Sequence, residues 1–136
     1  MLMIMIAIAV AGTLGSLTDW LFMGLLFHGA YNRHPEIWRP GIRDGADRGA
    51  IIWSSVLGYA ITAAVVALCA IARVRGVTGG LEVGVLVWIA GPAVVLIVNG
   101  MFIKLDPKIT FAHGLGYGAR ILMAGLAAGL AFSLKA

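Results

Sequence analysis

The sequence predicts an all-α integral membrane protein, a bundle of four transmembrane helices. Of its 136 residues, 61% are hydrophobic and 12% are charged, and the mean hydropathy is +0.99. An average soluble domain is about 45–50% apolar and about 25% charged. A globule of this length cannot bury so much apolar surface, so the composition excludes an ordinary soluble enzyme, a disordered chain and a secreted disulfide scaffold.

Four stretches are long enough to cross a membrane, because a spanning helix needs about 20 mostly apolar residues. We expect spans at about residues 2–27, 50–72, 81–103 and 109–134, which form a single transmembrane domain over residues 1–136. The first stretch lacks a basic N-terminal region and is too long for the apolar part of a signal peptide. We therefore expect it to be a true span.

Three connections join the spans. Residues 28–49 form a long, arginine-rich connection, whereas RVRGVTGG from Arg73 and KLDPK from Lys104 are predicted to be tight turns between antiparallel neighbours. The first and third connections share one side, which carries Arg33, Arg39, Arg43, Arg48, Lys104 and Lys108; the other side carries Arg73, Arg75 and Lys135. This bias predicts cytoplasmic first and third connections, with both termini outside.

Two ionisable residues lie deep in the predicted spans, where a charge is expensive and a functional role is the first expectation. Asp19 in the first span and Arg120 in the fourth lie at a similar depth, roughly 13–17 Å in from the side of the first and third connections. Opposite charges at matching depth lower the desolvation cost of each other. We therefore predict an Asp19–Arg120 ion pair between the first and fourth helices.

Other polar residues of the spans gather in the same half of the membrane. The candidate site residues are Ser55, Tyr59, Asn99, His113 and Tyr117. Their one-sided placement predicts a polar half-membrane pocket, open towards the first and third connections, with Asp19 and Arg120 at its base. No nucleophile–base pair occurs, and His28, His34 and Glu36 fit no strong zinc pattern. We therefore predict no catalytic or metal-binding residue and can name no cofactor.

These polar residues leave several functions open. A buried ion pair can serve only to fix helix register, or it can belong to a ligand site or to a proton-coupled device. We expect a non-enzymatic protein that binds or passes a small solute, ion or lipid. The alternatives are an accessory subunit of a larger membrane complex and, last, an intramembrane enzyme that uses His113, Tyr117 or Asp19.

Glycines on the last span predict close helix packing. Gly114, Gly118, Gly125 and Gly129 lie within about 60° of one another around the helix. We expect this stripe to pack against the first helix, with homo-oligomerisation as the alternative. Gly91-Pro92 is expected to kink the third helix. The expected partners are the lipid bilayer and a homo-oligomer or larger membrane complex, and no nucleic acid, because the basic residues flank spans.

Three segments carry a resemblance. They are DWLFMGLLFHGAYNRHPEIWR from Asp19 to Arg39, LVWIAGP from Leu86 to Pro92, and FAHGLGYGARILMAGLAAG from Phe111 to Gly129. Together they resemble an uncharacterised family of small four-helix bacterial membrane proteins, classified as a domain of unknown function. The resemblance covers nearly the whole chain and rests on pattern rather than on a catalytic motif. It implies four spans and no known activity. We expect the protein to be an integral protein of the bacterial inner membrane.

Overall fold

Four long helices make up most of the part of the chain that the structure describes. The structure, a computed structural model, describes residues 1–37 and 48–134, and these contain helices and no strand. The helices are α1 (Leu2–Leu26), the short α2 (His28–Asn32), α3 (Arg48–Ile71), α4 (Gly76–Phe102) and α5 (Pro107–Ser133). By length and composition α1, α3, α4 and α5 can each cross a membrane. The predicted fold class, an all-α membrane bundle of four spans, is confirmed.

The helix limits agree with the predicted spans at three of the four helices, to within two residues. The exception is α4, which begins at Gly76, well before the predicted start at residue 81. The expected turn over RVRGVTGG is therefore shorter than predicted. The glycines at its end belong to the helix, where Gly80 packs against α5 and Gly79 against Val74.

The last helix, α5, is the centre of the bundle and packs against α1, α3 and α4. Half of the most apolar part of α5 is buried within the protein, against 6% of that of α4. Most of its buried residues are alanine and glycine, and such small residues let neighbouring helices approach closely. The apolar core is formed by Val65, Val66, Cys69, Ile121, Ala124 and Ala128.

Backbone meets backbone where α4 crosses α5. A Cβ atom on Gly80 would collide with the carbonyl oxygen of Gly125, and one on Gly125 would collide with that of Gly80. A Cβ on Gly129 would lie 2.5 Å from the carbonyl oxygen of Gly76. Van der Waals contact at this distance requires that both helices carry glycine there.

The predicted partner of the glycine stripe was therefore wrong. Gly125 and Gly129 pack on α4, and Gly118 faces Trp88 of α4, whereas α1 was expected at this surface. Gly114 has only an ordinary contact, 3.9 Å from a built Cβ to Leu96. The physical reason is that α4 carries its own glycines at a spacing of four from Gly76 onwards, which gives α5 a second smooth surface.

Two stretches depart from regular α-helix. Trp20–Leu26 at the end of α1 and Ile89–Ala93 within α4 are π-helical. Pro92 lies in the second stretch and has no N–H to donate, so the regular hydrogen-bond ladder is interrupted there. The π-helical stretch coincides with Gly91-Pro92, where a kink was predicted, and the kink itself stays a prediction.

The turn between α3 and α4 is closed by a Schellman motif. The Val74 N–H donates to the Cys69 carbonyl (2.9 Å) and the Arg73 N–H donates to the Ala70 carbonyl (3.1 Å). Arg73 has a φ of 52°, the left-handed conformation that glycine usually occupies at this position. The turn thus places a strained arginine between two spans.

The first and third connections meet at one end of the bundle. Arg33 and His34 contact Asp106, which accepts a hydrogen bond from the Lys108 N–H (2.7 Å) and caps α5. This contact confirms that the two connections lie on the same side. The prediction that this side faces the cytoplasm is not tested and stays a prediction. Three of the basic residues on which it rests lie outside the described residues, namely Arg39, Arg43 and Lys135.

Candidate functional site

Asp19 and Arg120 meet between α1 and α5. The Arg120 Nη2 group donates a hydrogen bond to Asp19 Oδ2 and lies 3.4 Å from Ser16 Oγ. The Arg120 side chain is 2% exposed and the Asp19 side chain 28%. The predicted ion pair is present, because the two residues lie at matching depths on helices that pack together.

The Arg120 side chain fits against the bare backbone of two glycines. A Cβ built on Gly58 of α3 would lie 2.6 Å from Arg120 Cζ, and one built on Gly15 of α1 would lie 3.0 Å from Arg120 Cγ. Any larger residue at Gly58 would displace the guanidinium. Gly58 was not among the predicted site residues, because a single glycine in an apolar span does not indicate a functional position.

One hydrogen-bond donor and one acceptor of the ion pair are unsatisfied within the described residues. Within residues 1–37 and 48–134, Arg120 Nη1 and Asp19 Oδ1 are buried and have no hydrogen-bond partner. Asp19 Oδ1 faces Gly116, at 3.0 Å from a Cβ built there. Buried polar groups without partners are costly and mark places where a further polar group gains most.

A cavity lies on the connection side of the ion pair, and Asp19 and Arg120, the predicted base of the pocket, are not among the residues that line it. It has a volume of about 400 Å³ and is here called the connection-side cavity. Its lining residues are Tyr31, Leu96, Leu105, Ile109, Thr110, His113 and Tyr117. Thr110, His113 and Tyr117 follow one another at spacings of three and four on α5, so they share a stripe that continues to Arg120.

Three aromatic rings form one wall of this cavity. Tyr31 meets His113 edge to face, with centroids 6.0 Å apart, and His113 stacks on Tyr117 at 6.3 Å. Tyr31 is 6% exposed. Burial, with a smaller contribution from Tyr117, raises the pKa of Tyr31 to about 12, so its phenol stays protonated.

The structure brings only His113 and Tyr117, of the five polar candidates, to the cavity wall. Ser55 Oγ donates to the Ile51 carbonyl of its own helix (2.9 Å), and the Tyr59 hydroxyl lies 2.7 Å from Thr13 Oγ1 of α1. Asn99 is half-buried and makes no side-chain hydrogen bond with the described residues. The single pocket expected to unite all five does not form, because α3 directs Tyr59 towards α1.

The cavity is also lined by residues that were not predicted from the sequence, among them Tyr31, Leu96 and Thr110. Thr110 could have been found, since it lies three residues before His113 on the same stripe. Tyr31 carries no such signal, because only the fold of the first connection brings it over α5. Trp88 Nε1 donates to the Gly114 carbonyl (3.1 Å) and ties α4 to α5 beside the cavity.

A charged cluster lies at the connection end. His34 Nδ1 is 3.0 Å from Glu36 Oε1, and His34 Nε2 is 3.2 Å from Asp106 Oδ2. The hydrogen bond to Glu36, helped by Asp106, raises the pKa of His34. The hydrogen bond from the Lys108 N–H, helped by His34 and Arg33, lowers the pKa of Asp106. In the described part of the chain, no three His, Cys, Asp or Glu residues are arranged to hold a metal ion.

Comparison of the chain with protein-family models, with curated proteins and with solved structures finds no match. The resemblance to small four-helix bacterial membrane proteins stays a prediction.

Proposed function

We propose that this protein binds a small solute inside the membrane, in the connection-side cavity. The observation that carries the proposal is a cavity of about 400 Å³ whose polar lining comes from one stripe of α5. Ligand cavities in proteins typically measure about 300–1,000 Å³ and combine a mainly apolar wall with a few placed polar groups. Leu96, Leu105 and Ile109 provide the apolar part of this wall.

The polar groups of the stripe form no hydrogen bond across the bundle, although the His113 ring packs against Tyr31 and Tyr117. The side chains of Thr110, His113 and Tyr117 form no hydrogen bond with residues 1–37 or 48–134. A helix needed only for packing would gain from apolar residues here, because polar groups in an apolar environment are costly. Hydrogen bonding to a bound solute supplies the missing compensation.

In this proposal Asp19 and Arg120 are positioning residues below the cavity. Their ion pair joins α1 to α5, and it fixes the height of the His113–Tyr117 stripe relative to α1. The purely structural role, in which the pair only sets helix register, is the competing interpretation.

Blocking the cavity tests the proposal. Leu96→Trp adds a large ring to the cavity wall, and Val98→Trp adds the same ring at an exposed position of the same helix. Binding to protein in nanodiscs is measured by equilibrium dialysis with acetate, tetramethylammonium, glycerol and duroquinone as separate probes. We expect saturable binding of at least one probe, lost in Leu96→Trp and kept in Val98→Trp. No saturable binding of any probe would contradict the proposal.

A second candidate function is that of a subunit in a homo-oligomer or larger membrane complex. Only 6% of the most apolar part of α4 is buried, which leaves Val94, Val95, Ile97 and Val98 exposed. Extraction in native nanodiscs followed by mass measurement tests it. A mass of one chain would exclude this candidate, and the solute-binding proposal would be unaffected.

We further propose that the protein lies in a bacterial inner membrane with the first and third connections in the cytoplasm. Cys69 is the only cysteine and is fully buried, so a Cys69→Ala background allows single-cysteine labelling. In spheroplasts an impermeant maleimide should label Arg75→Cys at once and Lys104→Cys only after lysis. The reverse pattern would invert the orientation.

A further inference from the structure

We infer that the solute of the connection-side cavity is a neutral planar ring that carries hydrogen-bond acceptors, as para-benzoquinones do. This inference rests on the proposed function, because it names the class of solute for the same cavity.

The charge of the wall favours a neutral molecule. The lining residues among the described parts of the chain include no carboxylate, ammonium or guanidinium group. Asp19 and Arg120 lie below the cavity and neutralise each other. An inorganic ion or a permanently charged solute would therefore enter without an opposite charge to offset its lost hydration.

The shape of the wall favours a flat ring. Tyr31, His113 and Tyr117 already contact one another with centroids 6.0 and 6.3 Å apart, within the range of attractive aromatic pairs. A planar ring placed in the cavity extends this array. A volume of about 400 Å³ lies near the lower end of ligand cavities, which suits a molecule with one ring.

The hydrogen-bonding groups of the wall favour acceptors on that ring. The hydroxyl groups of Thr110 and Tyr117 and a ring N–H of His113 can each donate a hydrogen bond. They lie on successive turns of α5, separated along the helix by roughly 4.5 and 6 Å. Carbonyl oxygens at two edges of one ring can therefore meet donors from different turns.

Duroquinone and durene provide a matched pair of probes, since they share a tetramethylated ring and differ in the two carbonyl oxygens. Each is dialysed against protein in nanodiscs, with empty nanodiscs as the background for partition into lipid. We expect saturable duroquinone binding and at least about tenfold weaker durene binding, because the donors lose their acceptors.

Ring-preserving variants assign the donors. His113→Phe and Tyr117→Phe each remove a donor and keep an aromatic ring, and each should weaken duroquinone binding by about tenfold without changing durene binding. The thermal unfolding midpoint of each variant shows that it is folded, and Val98→Trp, which alters an exposed side chain, serves as the binding control.

The outcomes separate this inference from the proposed function. Cavity-dependent binding of acetate or tetramethylammonium without binding of duroquinone would overturn the neutral ring and keep the solute-binding proposal. Equal binding of durene and duroquinone would overturn the role of the acceptors. Absence of saturable binding by every probe would overturn both.

Discussion

The Arg120 guanidinium lies directly against the backbone of Gly58, where any side chain on α3 would occupy the same space. Three helices thus meet at one cation, since α5 carries Arg120, α1 carries Asp19 and α3 contributes the space. This relationship makes the ion pair depend on a residue that carries no charge.

Gly58→Ala should therefore break the ion pair. Its Cβ would lie 2.6 Å from Arg120 Cζ, so the guanidinium must leave the position in which it donates to Asp19. We expect a loss in the free energy of unfolding of up to about 3–5 kcal/mol, the range for complete loss of one partner of a buried pair. The control is Gly91→Ala, which meets nothing within 4 Å. Equal unfolding free energies of the two variants, measured in nanodiscs, would contradict the prediction.

Removing either charge should destabilise the protein, but to different extents. Asp19→Asn leaves Arg120 charged with a side chain that is 2% exposed, whereas Arg120→Gln leaves a carboxylate that is 28% exposed and partly hydrated. The loss from Asp19→Asn should lie near the upper end of about 3–5 kcal/mol and exceed that from Arg120→Gln. Reversible unfolding measures both, and the opposite order would count against this burial argument.

The α4–α5 crossing should tolerate no side chain. Gly80→Ala would place a Cβ against the Gly125 carbonyl and must separate the helices. We expect a loss of about 1–3 kcal/mol from overpacking. Gly100→Ala on the same helix is the matched control, because its Cβ would have only ordinary contacts at 3.9 Å with Thr110. Thermal unfolding midpoints compare the two, and a stable Gly80→Ala protein would refute the crossing.

Arg73→Gly should stabilise the protein. Arg73 holds a φ of 52°, which costs an L-residue roughly 1–2 kcal/mol, and part of the gain is lost because glycine makes the unfolded chain more flexible. A net rise of up to about 1 kcal/mol in unfolding free energy is expected. Arg75→Gly, at a φ of −122°, should instead be neutral or destabilising. A stabilised Arg75→Gly protein would show that charge removal, rather than backbone conformation, was responsible.

The contact between the two connections should depend on pH. Because the pKa of His34 is raised, its stabilising contribution is present at low pH and is lost as the pH rises through that raised value. Because the pKa of Asp106 is lowered, its contribution is lost only as the pH falls through that lowered value. The contact should be strongest between the two.

An NMR titration of His34 provides the measurement. The imidazole should titrate above the ordinary value of about 6.5. Glu36→Gln and Asp106→Asn should each move the midpoint down, Glu36→Gln by more because that hydrogen bond is the largest cause of the shift. A midpoint that neither variant changes would show that the cluster does not persist in solution.

The depth of each residue in the membrane, calculated from its position in the sequence, was enough to predict the spans and the pairing of Asp19 with Arg120. Both depend on the rise of an α-helix and on the thickness of the bilayer, which hold for any membrane helix. The start of α4 was wrong by several residues because Gly76 and Gly80 have two opposite uses, in turns and in close packing. Only the partner helix decides between these uses.

Lateral position was harder to predict than depth. Gly125 and Gly129 indicated a smooth surface but not which helix would use it, and α4 carried the matching glycines. Tyr59 lies at the expected end of its span, yet it bonds Thr13 and does not line the cavity. The direction of a side chain around its helix is fixed by packing with neighbours, which one sequence does not reveal.

The central place of α5 also has a consequence for biosynthesis. The ribosome completes α1, α3 and α4 before the helix that joins them, so these three enter the bilayer without their common partner. Until α5 is inserted, Asp19 lies in the membrane without its ion-pair partner. Arg120 by itself adds about 2.5–3.5 kcal/mol to the free energy of inserting α5 into the bilayer. The four-helix bundle can therefore assemble fully only after α5 has been synthesised. If synthesis stops before Arg120, Asp19 stays in the membrane without a partner.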